Sequence, residues 1–132
     1  MKITLDKRES ATFFYNALCN GLQYVYEYGI ELDNSKAEYN TAKAKLKSFE
    51  RIWDNGSECY EDVLMVMLCT CGLKFKDREC GMDDVTIHID DLEERMSQVP
   101  AKWILQMECE NDDAETADVI IQCCLYGEIV FG

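Results

Sequence analysis

The sequence predicts a mostly helical α+β fold, with five or six helices around one core and a small antiparallel β-hairpin or sheet. Apolar residues recur at helical spacing in several stretches, and two of these begin with a capping box. Two short alternating segments, separated by a polar connection that contains glycine, are typical of a β-hairpin. Because 132 residues with 48% apolar content suffice for one core, we expect a single domain over residues 1–132.

At the amino-terminal end, residues 2–5 alternate polar and apolar side chains and predict a short strand. Asp6 and Glu9 have the spacing of a capping box, which predicts that a long helix follows. Gly29 is its expected end, because glycine adopts the left-handed backbone conformation without strain. The apolar stripe of this helix comprises Phe14, Leu18, Leu22 and Val25.

Ser35 and Glu38 repeat the capping-box spacing and predict a second helix. Its apolar stripe comprises Tyr39, Ala42, Leu46, Phe49 and Trp53. Its outer face is basic and comprises Lys36, Lys43, Lys45, Lys47 and Arg51. The simplest interpretation is the solvated face of an amphipathic helix, and contact with the acidic half of this chain or of a second copy is the alternative.

In the middle of the chain, residues 63–69 are all apolar and predict a central helix, with a buried strand as the alternative. After Gly72, residues 73–76 and 85–89 form the predicted hairpin, and one or both termini are candidates to extend it. Asp90 with Glu93 predicts the cap of a short helix, and Pro100 marks the start of the next. The last helix is expected over about residues 113–125, with a terminal strand over residues 128–131.

The charge of the chain is one-sided. Residues 79–132 contain fourteen acidic side chains against Arg95 and Lys102, a local net charge of −12, whereas residues 1–78 are nearly balanced at −1. A field of this size acts on encounters with charged partners and not on the fold. It opposes direct binding of nucleic acid, which is a polyanion, and favours a basic protein surface.

The eight cysteines do not predict a disulfide framework, because no basic start followed by an apolar segment precedes them. No window approaches the roughly 20 apolar residues of a membrane span. We therefore expect a cytoplasmic protein with reduced thiols and no membrane contact. Five cysteines lie in apolar helical patterns and are expected in the core: Cys19, Cys69, Cys109, Cys123 and Cys124.

Two kinds of cysteine chemistry are weaker hypotheses. Cys69, Cys71, Cys80 and His88 are residues that zinc accepts, but their spacing is wider than that of paired zinc ligands, so we expect no metal. A small cysteine enzyme would need His88, the one histidine, as its base. The sequence contains no phosphate loop, dinucleotide-binding turn or nucleophile elbow, and we therefore expect no enzyme activity and no cofactor.

Acidic residues form the candidate binding site. Most paired carboxylates lie at predicted helix starts, where capping and the helix dipole explain them without a catalytic role. The residues expected to bind a partner are Glu93, Glu94, Glu108, Glu110, Asp112, Asp113 and Glu115. Four tyrosines suit either an interface or the margin of the core: Tyr24, Tyr26, Tyr28 and Tyr39.

These observations predict a non-enzymatic protein-interaction module that inhibits a nucleic-acid-binding protein, with its carboxylates in phosphate positions. In type, such a chain resembles the phage or mobile-element proteins that disarm nucleases and other host defences, anti-CRISPR proteins among them. No motif of a particular family is present, so no residue roles are carried across. The alternative is an acidic homo-oligomeric structural or adaptor protein, a homodimer included, whose copies pair through an apolar or tyrosine-rich face.

Overall fold

The computed structural model describes residues 3–79, 81–109 and 114–131. Within these ranges, six α-helices and a three-stranded antiparallel sheet confirm the predicted mostly helical α+β fold. In chain order the elements are α1 (Lys7–Glu27), β1 (Ile30–Leu32), α2 (Lys36–Lys45), α3 (Tyr60–Cys69), β2 (Leu73–Asp77), β3 (Val85–Ile87), α4 (Ile89–Met96), α5 (Ala101–Glu108) and α6 (Ala114–Tyr126). A 3₁₀ turn over Leu46–Ser48 follows α2.

Helix α1 packs most extensively against α6 and also contacts α3, α4 and β1. Asp6 accepts the backbone N–H of Glu9 at 2.7 Å, and the Glu9 carboxylate accepts the backbone N–H of Asp6 at 3.0 Å, which confirms the capping box. Gly21 lies so close to α6 that a Cβ atom there would be 2.7 Å from Ala117. Just beyond the helix, Gly29 has a φ of +93°, as its predicted role as the stop requires.

The second helix is shorter than predicted. It begins with the expected capping box but ends at Lys45, so that Phe49, Arg51 and Trp53 lie in the connection to α3. The prediction is wrong there because apolar residues continue at helical spacing beyond the end of the helix. Trp53 reaches the core from the connection, where its indole N–H donates to the buried carboxylate of Asp62 at 3.0 Å.

The uninterrupted apolar stretch lies in α3, which confirms the helical alternative over a buried strand. All side chains from Asp62 to Leu68 are buried, and α6 is buried over Thr116 to Leu125. These two helices supply a large share of the buried apolar cluster, which α1 and the inner side chains of the sheet complete.

Strand β2 is the central strand of the sheet. Leu73 lies opposite Ile87 of β3, which confirms the hairpin, and Ile30 of β1 lies opposite Asp77. The third strand therefore comes from the segment after α1 and not from a chain terminus. With only three residues, β1 is too short for its alternation to be recognised in the sequence.

Neither predicted terminal strand is present in the described residues. Residues 3–6 form no strand, although Ile3 and Leu5 pack against the core. Near the other end, Gln122 Oε1 accepts the backbone N–H groups of Val130 and Phe131 at 2.9 and 2.8 Å. The buried Gln122 side chain thus takes the place of a strand partner for residues 128–131.

Helix α4 begins at Ile89, one residue before Asp90, the residue predicted to cap it. Its N-cap is His88, and Asp90 lies inside the first turn, so the prediction of Asp90 as a cap is wrong. A carboxylate in the first turn still interacts favourably with the helix dipole, which explains why the two positions look alike in sequence. Pro100 precedes α5 as expected. Helix α6 ends at Tyr126, one residue beyond the end predicted from the sequence.

Candidate interaction surfaces

Helix α4 presents part of the predicted acidic site. Leu92 and Met96 are buried, whereas Glu93 and Glu94 are exposed on the opposite side. Glu94 borders two open pockets of about 250 and 450 Å³, the larger of which reaches the carboxyl end of α6 at Cys124. The amphipathic spacing of α4 therefore places both predicted carboxylates in solvent.

The other predicted carboxylates lie elsewhere. Glu108 is the last residue of α5 and Glu115 the second residue of α6, both exposed. Glu115 precedes Cys124 by nine positions, a distance of about 14 Å along the helix axis. The structure therefore divides the described site residues into two groups near opposite ends of α6. Glu110, Asp112 and Asp113 lie outside the described residues.

The carboxylates of these two groups have no neutralising partner in the described structure. Among residues 81–109 and 114–131, the one ion pair joins Asp90 to Lys7 at 3.6 Å, between exposed side chains. Both cations of this half are engaged elsewhere: Arg95 donates to the Cys124 carbonyl at 2.9 Å, and Lys102 lies 4.8 Å above the ring of Trp103. The negative field predicted from the sequence is therefore not cancelled internally.

The charges of the sheet region, by contrast, are paired. Lys74 lies 2.9 Å from Glu38, and Lys76 and Arg78 both contact Glu31, at 3.4 and 3.1 Å. The Lys74 ammonium and the backbone N–H of the Ser35 cap lower the pKa of Glu38 to about 2. The sheet region is thus charge-balanced, and we call α4, α5 and α6, with their exposed carboxylates, the acidic side.

A second surface is concave and aromatic. Three open pockets of about 500, 230 and 290 Å³ all border Tyr60. Tyr39 borders the two smaller pockets, and Leu32 borders the pockets of 500 and 290 Å³. The largest extends to Tyr26 at the end of α1. We call the area formed by Tyr26, Leu32, Tyr39 and Tyr60 the tyrosine surface.

Helix termini and ring contacts shape the tyrosine surface. Tyr60 is the first residue of α3, and its ring lies 5.8 Å from that of Tyr39 on α2. Tyr60 and Tyr26 are 44% and 39% exposed, yet desolvation of the Tyr26 hydroxyl and its hydrogen bond with Tyr60 raise the pKa of Tyr26. Tyr60 was not among the predicted aromatic residues, because the cluster forms only when α1, α2 and α3 come together.

The remaining predicted tyrosines have other places. Tyr28 stacks on Phe131 at 5.2 Å and donates to Asp118 at 3.0 Å, so it belongs to the packing of the carboxyl-terminal segment. Tyr24 is exposed and borders none of the three pockets. Of the four tyrosines considered from the sequence, Tyr26 and Tyr39 therefore belong to the tyrosine surface, Tyr26 as an exposed and Tyr39 as a half-buried side chain.

A buried carboxylate holds the connection between α2 and α3 in place. Asp62 Oδ1 accepts the Trp53 indole N–H at 3.0 Å and the Ser57 backbone N–H at 2.9 Å, while Oδ2 accepts the Tyr15 hydroxyl at 2.8 Å and the Cys59 thiol at 2.9 Å. Burial alone raises the pKa of Asp62, but these four hydrogen bonds outweigh it, so the pKa is lowered. The network positions Cys59 and hence Tyr60 at the start of α3.

The cysteines divide by burial. Cys123 and Cys124 are buried as predicted, and burial raises the pKa of the Cys123 thiol to about 11 and also raises that of Cys124. The core prediction is wrong for Cys19 and Cys109, which are exposed, and Cys69 is half-buried. Cys19 lies on the solvent-facing side of α1, and Cys109 follows the last residue of α5, so helical spacing does not bury either of them.

Three of the four residues considered for zinc, Cys69, Cys71 and His88, lie in the described part of the chain and form no metal site there. Cys71 accepts a hydrogen bond from Asn34 at 3.8 Å, and the His88 imidazole packs against Gly72. No group of three His, Cys, Asp or Glu side chains within residues 3–79, 81–109 and 114–131 is arranged to hold a metal ion. Cys80, the fourth residue considered, lies outside those ranges.

Comparison with protein-family models, with curated proteins and with solved structures gave no match. In the described part of the chain, no helix has the length and apolar character needed to cross a bilayer.

Proposed function

We propose that this protein is a non-enzymatic acidic interaction module that inhibits a nucleic-acid-binding protein by occupying its basic groove. The observation that carries the proposal is the set of exposed carboxylates on α4, α5 and α6, which have no ion partner among the described residues apart from Asp90 with Lys7. Unpaired exposed charge of one sign accelerates encounter with a surface of the opposite sign.

The arrangement of the carboxylates fits this role. Glu94 borders a pocket at the carboxyl end of α6, and Glu115 lies near its amino end, on the order of 14 Å from Cys124 along the helix axis. At 3.4 Å per base pair, this separation corresponds to roughly four base pairs of duplex. Two groups of carboxylates at that distance would occupy separate phosphate positions in one groove.

The side chains that an enzyme would use support the non-enzymatic assignment. His88 is exposed at the start of α4, and its imidazole packs against Gly72. Burial raises the pKa of the Cys123 and Cys124 thiols, which disfavours the nucleophilic thiolate. The proposal places the protein in the cytoplasm, where thiols stay reduced, as an anti-defence protein of phage or mobile-element type.

The test is capture of a partner from a nuclease-treated bacterial lysate on the tagged protein, followed by identification of the bound proteins. We expect a nucleic-acid-binding protein that is released when the salt concentration is raised. The variant with Glu93→Lys and Glu94→Lys should lose it. A matched control with Glu50→Lys and Glu58→Lys changes the net charge equally, at exposed positions outside α4–α6, and should retain it. Equal capture by both variants would exclude the α4 carboxylates as the binding site.

A further inference from the structure

We propose that the tyrosine surface is a twofold dimer interface that binds the same surface of a second copy of this chain. The inference does not rest on the proposed function, because it uses a different surface. Gly21 contacts α6 and Tyr15 contacts α3, and these two residues are about 120° apart around α1. The tyrosine surface and the acidic side therefore lie on different sides of that helix.

The shape and chemistry of the tyrosine surface suit an interface. Exposed tyrosines border three adjoining pockets, whose walls include the apolar side chains of Leu64 and Met67. Tyrosine is enriched in interfaces because its ring contributes apolar area while its hydroxyl remains hydrogen-bonded. A contiguous area of this kind, in contrast to a single exposed tyrosine, marks an interaction site.

The distribution of charge around the tyrosine surface favours a second copy as its partner. Lysines lie at the α2 edge: Lys43 and Lys47 border one pocket and Lys36 another, and none has an ion partner among the described residues. We call this the lysine edge. Glu58 borders the same pocket as Lys43 and Lys47. Because the lysines that border the two pockets outnumber this one carboxylate, the net charge of the lysine edge is positive.

The opposite edge is acidic. Glu79 borders the largest of the three pockets, and Glu61 follows Tyr60 in the first turn of α3. Arg78 and Glu31 also border this pocket but form an ion pair with each other at 3.1 Å. Glu61 and Glu79, which have no ion partner in the described ranges, make up the carboxylate edge.

These two edges make the surface complementary to itself. A twofold axis near Tyr60 would bring the lysine edge of each copy against the carboxylate edge of the other, and an interface of this kind closes at two copies. A nucleic acid would meet the carboxylate edge, and a partner of one charge sign would match only half of the surface. A second copy matches both edges, and the acidic sides of the two chains stay away from the axis.

Analytical ultracentrifugation over a range of protein concentrations tests the proposal. We expect wild type to form dimers and the variant with Lys43→Glu and Lys47→Glu to be monomeric. The variant with Glu61→Gln and Glu79→Lys should also be monomeric, whereas an equimolar mixture of the two variants should form dimers again, because each then supplies one edge. A control with Lys45→Glu and Lys102→Glu has the same net charge as the first variant but alters no residue that borders the three pockets, and it should dimerise like wild type.

Tyr60→Ala should raise the dimer dissociation constant at least about tenfold, as is typical for the central aromatic residue of an interface. Circular dichroism confirms that each variant is folded. Wild type that remains monomeric at every concentration would overturn the proposal. So would dimers that persist in the lysine-reversed variant, or a mixture of the two edge variants that fails to dimerise.

Discussion

Replacement of Asp62 tests how the connection between α2 and α3 is held. Asp62→Ala removes the acceptor of four hydrogen bonds between 2.8 and 3.0 Å and leaves two buried donors, Tyr15 and Trp53, without it. Hydrogen bonds to a charged group contribute about 1.5–3 kcal/mol each but are not additive. We expect Asp62→Ala to lower the free energy of unfolding by about 3–5 kcal/mol, the range found when one partner of a buried charged network is removed.

Asp62→Asn keeps the size and one oxygen acceptor, so we expect a loss of about half as much. Asp54→Asn is the matched control in the same connection. The Asp54 side chain is 58% exposed, and its 2.7 Å contact with Arg8 lies in solvent, so we expect a loss of no more than about 1 kcal/mol. Urea unfolding followed by tryptophan fluorescence and circular dichroism measures all three.

The pH dependence gives a second readout for Asp62. The pKa of Asp62 is lower in the folded protein than in the unfolded chain, where it is near 4. Its contribution to the free energy of unfolding is therefore complete above about pH 4 and is lost as the pH falls through the pKa of the folded protein. The stability difference between wild type and Asp62→Asn should therefore narrow below about pH 4. A loss under about 1 kcal/mol for Asp62→Ala, or a difference that widens in acid, would refute this reasoning.

Three further predictions concern packing, thiol chemistry and titration. Gly21→Ala should destabilise the protein by about 1–3 kcal/mol in urea unfolding, because its Cβ would lie 2.7 Å from α6 atoms; an unchanged midpoint would contradict the close helix approach. Iodoacetamide at neutral pH should modify the exposed Cys109 and leave the buried Cys124 unmodified until urea is added, as mass spectrometry of peptides would show; equal rates would contradict the burial. In an NMR titration the Glu38 carboxyl should have its midpoint near the pKa of about 2, and Lys74→Gln should raise it; no change would contradict the ion pair.

The helix starts could be predicted because their causes are local. Both capping boxes need only residues three positions apart, and the stop after α1 needs only Gly29. The end of α2 could not be predicted in this way. Trp53 continues the apolar spacing, but its place in the core depends on Asp62, nine residues later and on another helix.

Long-range partners also explain the errors at the edges of the sheet. The three residues of β1 become a strand because β2 lies beside them, with Ile30 opposite Asp77. Residues 128–131 contain three consecutive apolar residues that favour a strand, but Gln122 satisfies the backbone N–H groups of Val130 and Phe131 from a helix. Backbone hydrogen bonding in both segments is decided by a distant residue, which periodicity does not reveal.

The candidate site could be predicted in sign but not in arrangement. Acidic composition gave the charge of α4–α6 and the exposed residues Glu93, Glu94, Glu108 and Glu115, whereas their separation into two groups follows from how α4 and α5 pack on α6. The tyrosine surface depends on Tyr60, which lies at the end of an apolar helix and has no distinctive sequence neighbours. Its role follows only from the contacts among α1, α2 and α3.

The most direct test of the acidic binding surface is the salt dependence of the dissociation constant for the captured partner, measured with wild type and with the Glu93→Lys, Glu94→Lys variant. We expect the wild-type dissociation constant to rise steeply with salt concentration, because exposed charges are screened over about 8–10 Å at 0.1–0.15 M ionic strength. The variant should bind more weakly at low salt and respond less to added salt. A wild-type dissociation constant that does not change with salt, and that the variant shares, would contradict the electrostatic mechanism.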